Sequence, residues 1–346
     1  MGHSNNMEIL WYILTLSLFT TYVVLDGFDL GAGLVHLFVA RNAGERRQVL
    51  AAIGPYWDGN EVWLIAGGGT LYFAFPKVFA ASFSGFYLPL MLVLWCLTLR
   101  GIAIEFRNHI QHPAWTPAWD LAFGGSSVLL CILFGAAAGN IIRGVPLDKD
   151  GEFFLPLWTD FSARGELGVL DWYTILVALL ALTALGMHGA TWVALKVPQP
   201  FAGRVTLFAR KLWPALVLLA LTATIGTSVV RPTALEIFAD RPITFLLPLG
   251  MLASILALRP AFGADGKRAF ALTSAILVLM IATAAATIFP MLLPSTTAQQ
   301  FSMTVANSIT PAYGQTVGLM WWIPGMALVV GYFVFLYRRF AGPIDS

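Results

Sequence analysis

The chain has 346 residues, with 20 Lys and Arg against 18 Asp and Glu, and 58% of its residues are hydrophobic. Only 11% are charged, less than half of the ~25% usual in soluble globular domains, and the mean hydropathy is +0.77. This excludes an ordinary soluble enzyme and a disordered chain, a net charge of +2 offers no basic field to nucleic acid, and two cysteines make neither a disulfide scaffold nor a four-cysteine zinc site.

A helix needs ~20 mostly apolar residues to cross the hydrocarbon, and nine segments qualify. The first, 9–38, carries Asp26 and Asp29 inside its apolar run and has no basic leader, so it is expected to be a span and not a cleaved signal. The second and third, 50–75 and 78–101, hold Asp58, Glu61 and Arg100. Segments 119–142, 170–195 and 211–230 follow. The seventh, 242–259, is short and interrupted by Pro248, which makes eight spans the fallback; 268–291 and 319–338 complete the set. Continuous apolar runs such as Leu216 to Leu221 predict helices, not the alternating strands of a barrel. The predicted fold is an all-α polytopic membrane protein of about nine helices.

Basic residues orient such a chain. With the N-terminus outside and the C-terminus in the cytoplasm, the inner side receives Arg41, Arg46, Arg47, Arg100, Arg107, Lys196, Arg204, Arg210, Lys211, Arg259, Lys267, Arg268, Arg338 and Arg339. Lys77, Arg143, Lys149, Arg164, Arg231 and Arg241 fall outside, mostly among acids. The setting is then a bacterial type of plasma membrane. The outer stretch from Leu292 to Gly318 has no charged residue and is expected on the membrane surface.

Each ionisable group in the hydrocarbon costs roughly 2.5–3.5 kcal/mol on insertion scales, so such groups mark the candidate site. Four acids are placed there, Asp26 and Asp29 in the first span and Asp58 and Glu61 in the second; the other acids are read as loop residues. Asp26 and Asp29 are three apart and share a face with Gly33 and His36. In the second span Gly54, Asp58, Glu61, Ile65 and Gly68 fall on one arc. At ~1.5 Å per residue, Asp29 and Asp58 lie roughly 12–14 Å from the inner boundary. Neighbouring helices would then form a two-tier carboxyl cluster open to the cytoplasm, suited to relaying protons. Arg100, at the inner end of its span, reads either as a counter-charge for Asp58 or a ligand carboxylate, or as an arginine snorkelling at the membrane boundary. Trp57 and Trp63 flank the acids and would line a cofactor or quinone contact. His36 and His188 are the two histidines able to face a bundle interior. No metal-ligating pattern is expected.

Beside this reading, the chain resembles subunit II of cytochrome bd-type quinol oxidases. The likeness is carried by Asp26-Gly27-Phe28-Asp29-Leu30-Gly31-Ala32-Gly33 in the first span. Arg46-Arg47 and Gly54-Pro55-Tyr56-Trp57-Asp58-Gly59-Asn60-Glu61-Val62-Trp63-Leu64 continue it, with Phe83-Ser84-Gly85-Phe86-Tyr87 and Arg100 in the third. It is tight over 22–107, and Gly139-Asn140 to Gly144-Val145-Pro146 extends it.

The resemblance implies one transmembrane domain over 1–346. It would comprise a four-helix bundle at 9–142 with the acids, a second at 170–291, and a peripheral last helix at 319–340. It implies a heterodimer with a subunit I that holds two haems b, a haem d and the quinol-oxidising loop. The complex would oxidise quinol, reduce oxygen to water and separate charge, and a small accessory subunit would fit beside it. This chain would bind no haem, though some members hold a structural quinone. Protons for water would arrive from the cytoplasm along a route that includes Asp58, with Asp29, Asp26 and Glu61 assisting; the family varies at the Glu61 position. The acids alone leave open a proton- or sodium-coupled secondary transporter, although neither an inverted repeat nor paired broken helices are evident.

Overall fold

The computed structural model describes residues 2–110, 112–162 and 165–344. Arg164, assigned above to the outer side, lies outside them. In chain order the helices are α1 (Gly2–Phe38), α2 (Ala43–Ile53), α3 (Trp57–Ala74), α4 (Pro76–Gly85), α5 (Tyr87–Phe106), α6 (Trp115–Arg143) and α7 (Trp172–Lys196). They continue as α8 (Phe201–Val230), α9 (Ala234–Asp240), α10 (Leu246–Ala261), α11 (Gly266–Ile288), α12 (Val305–Ser308) and α13 (Ala312–Arg339).

Eight stretches are long and apolar enough to cross a membrane, and α3 with α4 makes up to nine if counted as one broken span. The doubtful segment is thus the second and not the seventh, since Pro242–Ala261 passes as a single stretch. The second and third spans differ from expectation. The chain turns after Ile53, α3 starts at Trp57, and α4 bends from α3 by 120°. The bend falls at Phe75-Pro76, where the proline has no N–H for the helix ladder and disfavours helical geometry in the residue before it. The third span accordingly starts at Tyr87 and runs to Phe106, which places Arg100 within it.

Polar caps fix several starts. Asn42 accepts from Glu45 N, Asp171 forms a capping box with Thr174, and Asp265 accepts from Arg268 N. Helix α7 is central and packs on α1, α6, α8 and α11, while α1 also packs on α3 and α6. Small residues permit this. Gly31 meets Gly189 backbone to backbone, and a Cβ on Gly31 would overlap the Leu185 carbonyl. Gly135 does the same for α6 against Ala178 of α7. Phe28 fills the seam, its ring stacked 4.2 Å from that of Trp192.

At the end remote from the C-terminus, β1 (Met291–Leu293) pairs antiparallel with β2 (Met303–Thr304). Val145 and Pro294, then Thr296 and Val145, join this pair to the loop after α6. The uncharged stretch is therefore folded onto the 145–147 loop. Arg143, read above as an outer loop residue, is the buried last residue of α6 and pairs with Asp171.

Candidate functional site

Arg100 of α5 is the largest fully buried charged side chain among the described residues. It reaches from α5 to two neighbours: Nη2 donates to Asp26 Oδ1 of α1 at 2.7 Å and to Glu61 of α3. A buried guanidinium is tolerated only when paired and hydrogen-bonded, so these two carboxylates and Arg100 fold as a unit. One turn along α1, Asp29 is also fully buried and accepts from Asn60 Nδ2 at 2.7 Å. Asn60 Nδ2 further donates to Leu25 O at 3.1 Å, and its Oδ1 accepts from Tyr337 of α13 at 3.0 Å.

The cluster has spare hydrogen-bonding capacity. Asp26 Oδ2, Asp29 Oδ1, and Nε and Nη1 of Arg100 are buried without a protein partner among the described residues. The Tyr22 hydroxyl and Trp63 Nε1 are in the same condition. Native interiors satisfy most buried polar atoms, so such a concentration sets this cluster apart from the rest of the interior.

Asp58 departs from expectation. It is exposed, and the four-carboxyl cluster is a cluster of Asp26, Asp29 and Glu61. The reason is angular. The core stripe of α3 is Asn60, Trp63, Gly67, Thr70 and Ala74, one step from the arc inferred from the acids. With Asn60 facing inward, Asp58 lies ~200° round the helix and Glu61 ~100°. Glu61 therefore sits on the flank, its side chain 25% exposed, and Asp58 joins the outward stripe with Val62, Ile65 and Tyr72. Arg100 pairs with Asp26 and Glu61, not with Asp58. Trp57 lies beside α5, where a Cβ on Gly101 would touch its ring.

A second ionic site was missed. Asp120 was read as a loop acid because it stands near the start of its segment, yet it lies in α6 and is 5% exposed. Its Oδ1 accepts from His36 Nε2 at 2.7 Å and Arg107 Nε at 2.5 Å. Its Oδ2 accepts from Arg46 Nη1 at 2.9 Å and Arg107 Nη2 at 3.3 Å. Nearby Glu45 pairs with Arg204. Burial alone would push the Glu45 carboxyl up, but the Arg204 guanidinium and the Arg41 amide hold it below the usual carboxylate range.

Both interior histidines are hydrogen-bonded within the chain. His188 has Nε2 on the Val24 carbonyl and Nδ1 on Thr273, both at 2.9 Å, and His36 gives Nε2 to Asp120. Among the described residues no group of three His, Cys, Asp or Glu is placed to hold a metal ion.

Comparison with known proteins adds one family match, three relatives and one solved structure. Residues 7–340 match the family model described as cytochrome bd terminal oxidase subunit II. A probable cytochrome oxidase subunit 2 of Haemophilus influenzae is 29% identical, over 98% of this chain and 96% of that protein. The cytochrome bd-I ubiquinol oxidase subunit 2 of Escherichia coli K12 is 29% identical, over 96% of this chain and 92% of that protein. The cytochrome bd ubiquinol oxidase subunit 2 of Bacillus subtilis is 28% identical over 97% and 96%. In fold, the chain is similar to a chain of the bd oxidase from Geobacillus thermodenitrificans, with a TM-score of 0.76, 15% identity, and coverage of 97% and 99%.

Proposed function

The chain belongs to the cytochrome bd terminal oxidase subunit II family, and from that premise we propose that it serves the oxidase as a subunit without redox centres, bound to a haem-bearing subunit I. In this reading it braces that partner and leads protons from the cytoplasm toward the site where oxygen becomes water. The N-terminus faces outward and the C-terminus the cytoplasm. Helices α1, α3, α5 and α6 form one bundle, α7, α8, α10 and α11 the other, and α13 lies at the edge. Family membership sets aside the coupled-transporter reading.

The observation that carries the proposal is Asp58. An ionisable group on an apolar outward face at membrane depth is costly unless something outside the chain receives it. Val62, Ile65 and Tyr72 continue that face on α3, and Trp95, Leu99 and Ile102 lie exposed on α5. A second subunit seated there would meet Asp58 first, then Glu61 one turn away, then Arg100 and Asp26 behind it. The chain's own residues hold and hand on protons: Asp58 at the face, Glu61 half-way in, and Asp26 and Asp29 in the interior with one oxygen each unengaged. The partner's haems supply the oxygen chemistry. Quinol releases its protons outside while oxygen takes protons from inside, so turnover separates charge.

The test is Asp58→Asn in the purified complex. Oxygen consumption with saturating quinol should fall tenfold or more, equivalent to at least about 1.4 kcal/mol on the barrier, with haem content per complex unchanged. Normal turnover in that variant would remove Asp58 from the path.

A further inference from the structure

We propose that Tyr337, on the last helix, is a positioning residue for Asp29 and acts through Asn60. The inference deepens the proton-path reading and rests on it. Among the described residues, Asn60 alone is hydrogen-bonded to the Asp29 side chain, so the placement of that carboxyl depends on one amide.

The amide itself is held at three points. Its Nδ2 is shared between the Leu25 carbonyl and Asp29 Oδ2, and its Oδ1 takes the Tyr337 hydroxyl proton at 3.0 Å. A carboxamide has a donor end and an acceptor end. Leu25 and Asp29 present acceptors, so the donor end must face them, and the acceptor end then needs a donor. Tyr337 is that donor. Without it Oδ1 is buried with nothing to accept from, and the observed orientation loses its advantage over swinging away from Asp29.

Tyr337 is in turn fixed by the end of its helix. Its ring lies 4.8 Å from that of Tyr56. Lys196, at the end of α7, is 6% exposed and spends its three donors on oxygens. These are the carbonyls of Phe340 and Gly342, both at 2.9 Å, and the Tyr56 hydroxyl at 3.2 Å. The Tyr56 hydroxyl donates to Phe340 O at 2.5 Å, and Ile344 N donates to Lys196 O at 2.9 Å. The chain end is thus strapped to α7 by lysine and main chain. A slip of α13 by one residue would carry Tyr337 ~1.5 Å and ~100° away, which breaks the bond to Asn60. The strap sets the register that the hydrogen bond requires.

Other titratable groups face Asp29 from the elements packed about it: Asp26 on α1, Tyr56 before α3, Glu61 on α3, Arg100 on α5 and Tyr337 on α13. Tyr22 on α1 and Cys131 on α6 adjoin Asp26 and Arg100, and Asp58 on α3 is turned outward. His188 on α7 is turned to Val24 and Thr273. A changed pH profile alone would therefore not single out Asp29, and the test needs a second readout.

The experiment uses the purified two-subunit oxidase with Tyr337→Phe, Asp29→Asn and both together. Phenylalanine keeps the ring packing, so assembly and haem content should match wild type. Turnover at saturating quinol should fall about threefold to tenfold, the range expected for one lost hydrogen bond, with a shifted pH profile. In reduced-minus-oxidised infrared spectra, the carboxyl band that Asp29→Asn abolishes should move in Tyr337→Phe. In the Asp29→Asn background, Tyr337→Phe should change turnover no further. Wild-type turnover and an unmoved band in Tyr337→Phe would overturn the positioning role, and a slow Asp29→Asn would then leave the proton path standing. An additive double variant would show that Tyr337 acts elsewhere. Normal turnover in Asp29→Asn would bring down both readings of that residue.

Discussion

Asp120 and Asp26 are both buried aspartates in membrane-length helices, and the protein surrounds them in opposite ways. Asp120 has His36, Arg46 and Arg107 around it, and both of its oxygens are engaged twice. Asp26 has one cation, Arg100, which it shares with Glu61, and its Oδ2 accepts from no protein group among the described residues. The first arrangement is closed: every lone pair is spoken for, and a proton arriving there would have to displace a guanidinium. The second pairs the carboxylate through one oxygen and leaves the other without a protein partner among the described residues. The contrast separates an ionic staple that joins α1, α2 and the end of α5 to α6 from an open site, which is the one proposed to carry protons.

The largest effect should come from taking away the shared cation. Arg100→Leu strands the Asp26 and Glu61 carboxylates in the interior, a loss of about 3–5 kcal/mol for a broken buried pair. The expected outcome is a complex that assembles poorly, read as lost haem-containing oxidase in membranes and a lowered melting temperature of what remains. Wild-type yield and melting would mean that the open cluster is not held by Arg100.

Asp120→Asn should cost about 2 kcal/mol through its weakened charge-assisted bonds, seen as a lower melting temperature in detergent. Turnover per assembled complex should stay near wild type. If it fell as far as in Asp58→Asn, the line between staple and path would vanish.

The smallest effect lies at the rim. Glu45→Gln removes the pair with Arg204, which is partly exposed and contributes under about 1 kcal/mol. Because the folded carboxyl is held below its usual range, the pair stabilises at pH values above the unfolded carboxylate value of about 4.3. It fades as pH falls through the folded value. The melting difference between wild type and Glu45→Gln should be constant near neutrality and shrink below about pH 4. A difference that grew toward acid would refute the assignment.

Much of the fold was legible. Hydropathy located the spans, and the bend at Phe75-Pro76 had a visible cause in its proline. The acids of α1 were legible as interior groups too, because an Asp inside an apolar run is costly unless the interior supplies it with partners. Asp120 escaped because it stands only five residues into its helix, where a boundary acid and a buried one look alike in sequence. Asn60 and Tyr337 escaped because neither is charged and nothing in their spacing joins positions 277 residues apart. Lys196 was counted as a loop cation, since its partners are main-chain carbonyls that carry no sequence signature.

The sequence by itself determined that this chain lies in a membrane as helices, that it carries ionisable groups inside them, and to which family its motifs belong. Only the tertiary structure decided which way α3 is turned, and hence that Asp58 faces out while Glu61 and Asn60 face Arg100 and Asp29. It alone brought the chain end back to Lys196. The physical reason is that helical periodicity fixes the angles between residues on one helix but not the helix's rotation about its own axis. That rotation is set by packing against neighbours, where Gly31 on Gly189 and Asn60 on Asp29 leave a single arrangement.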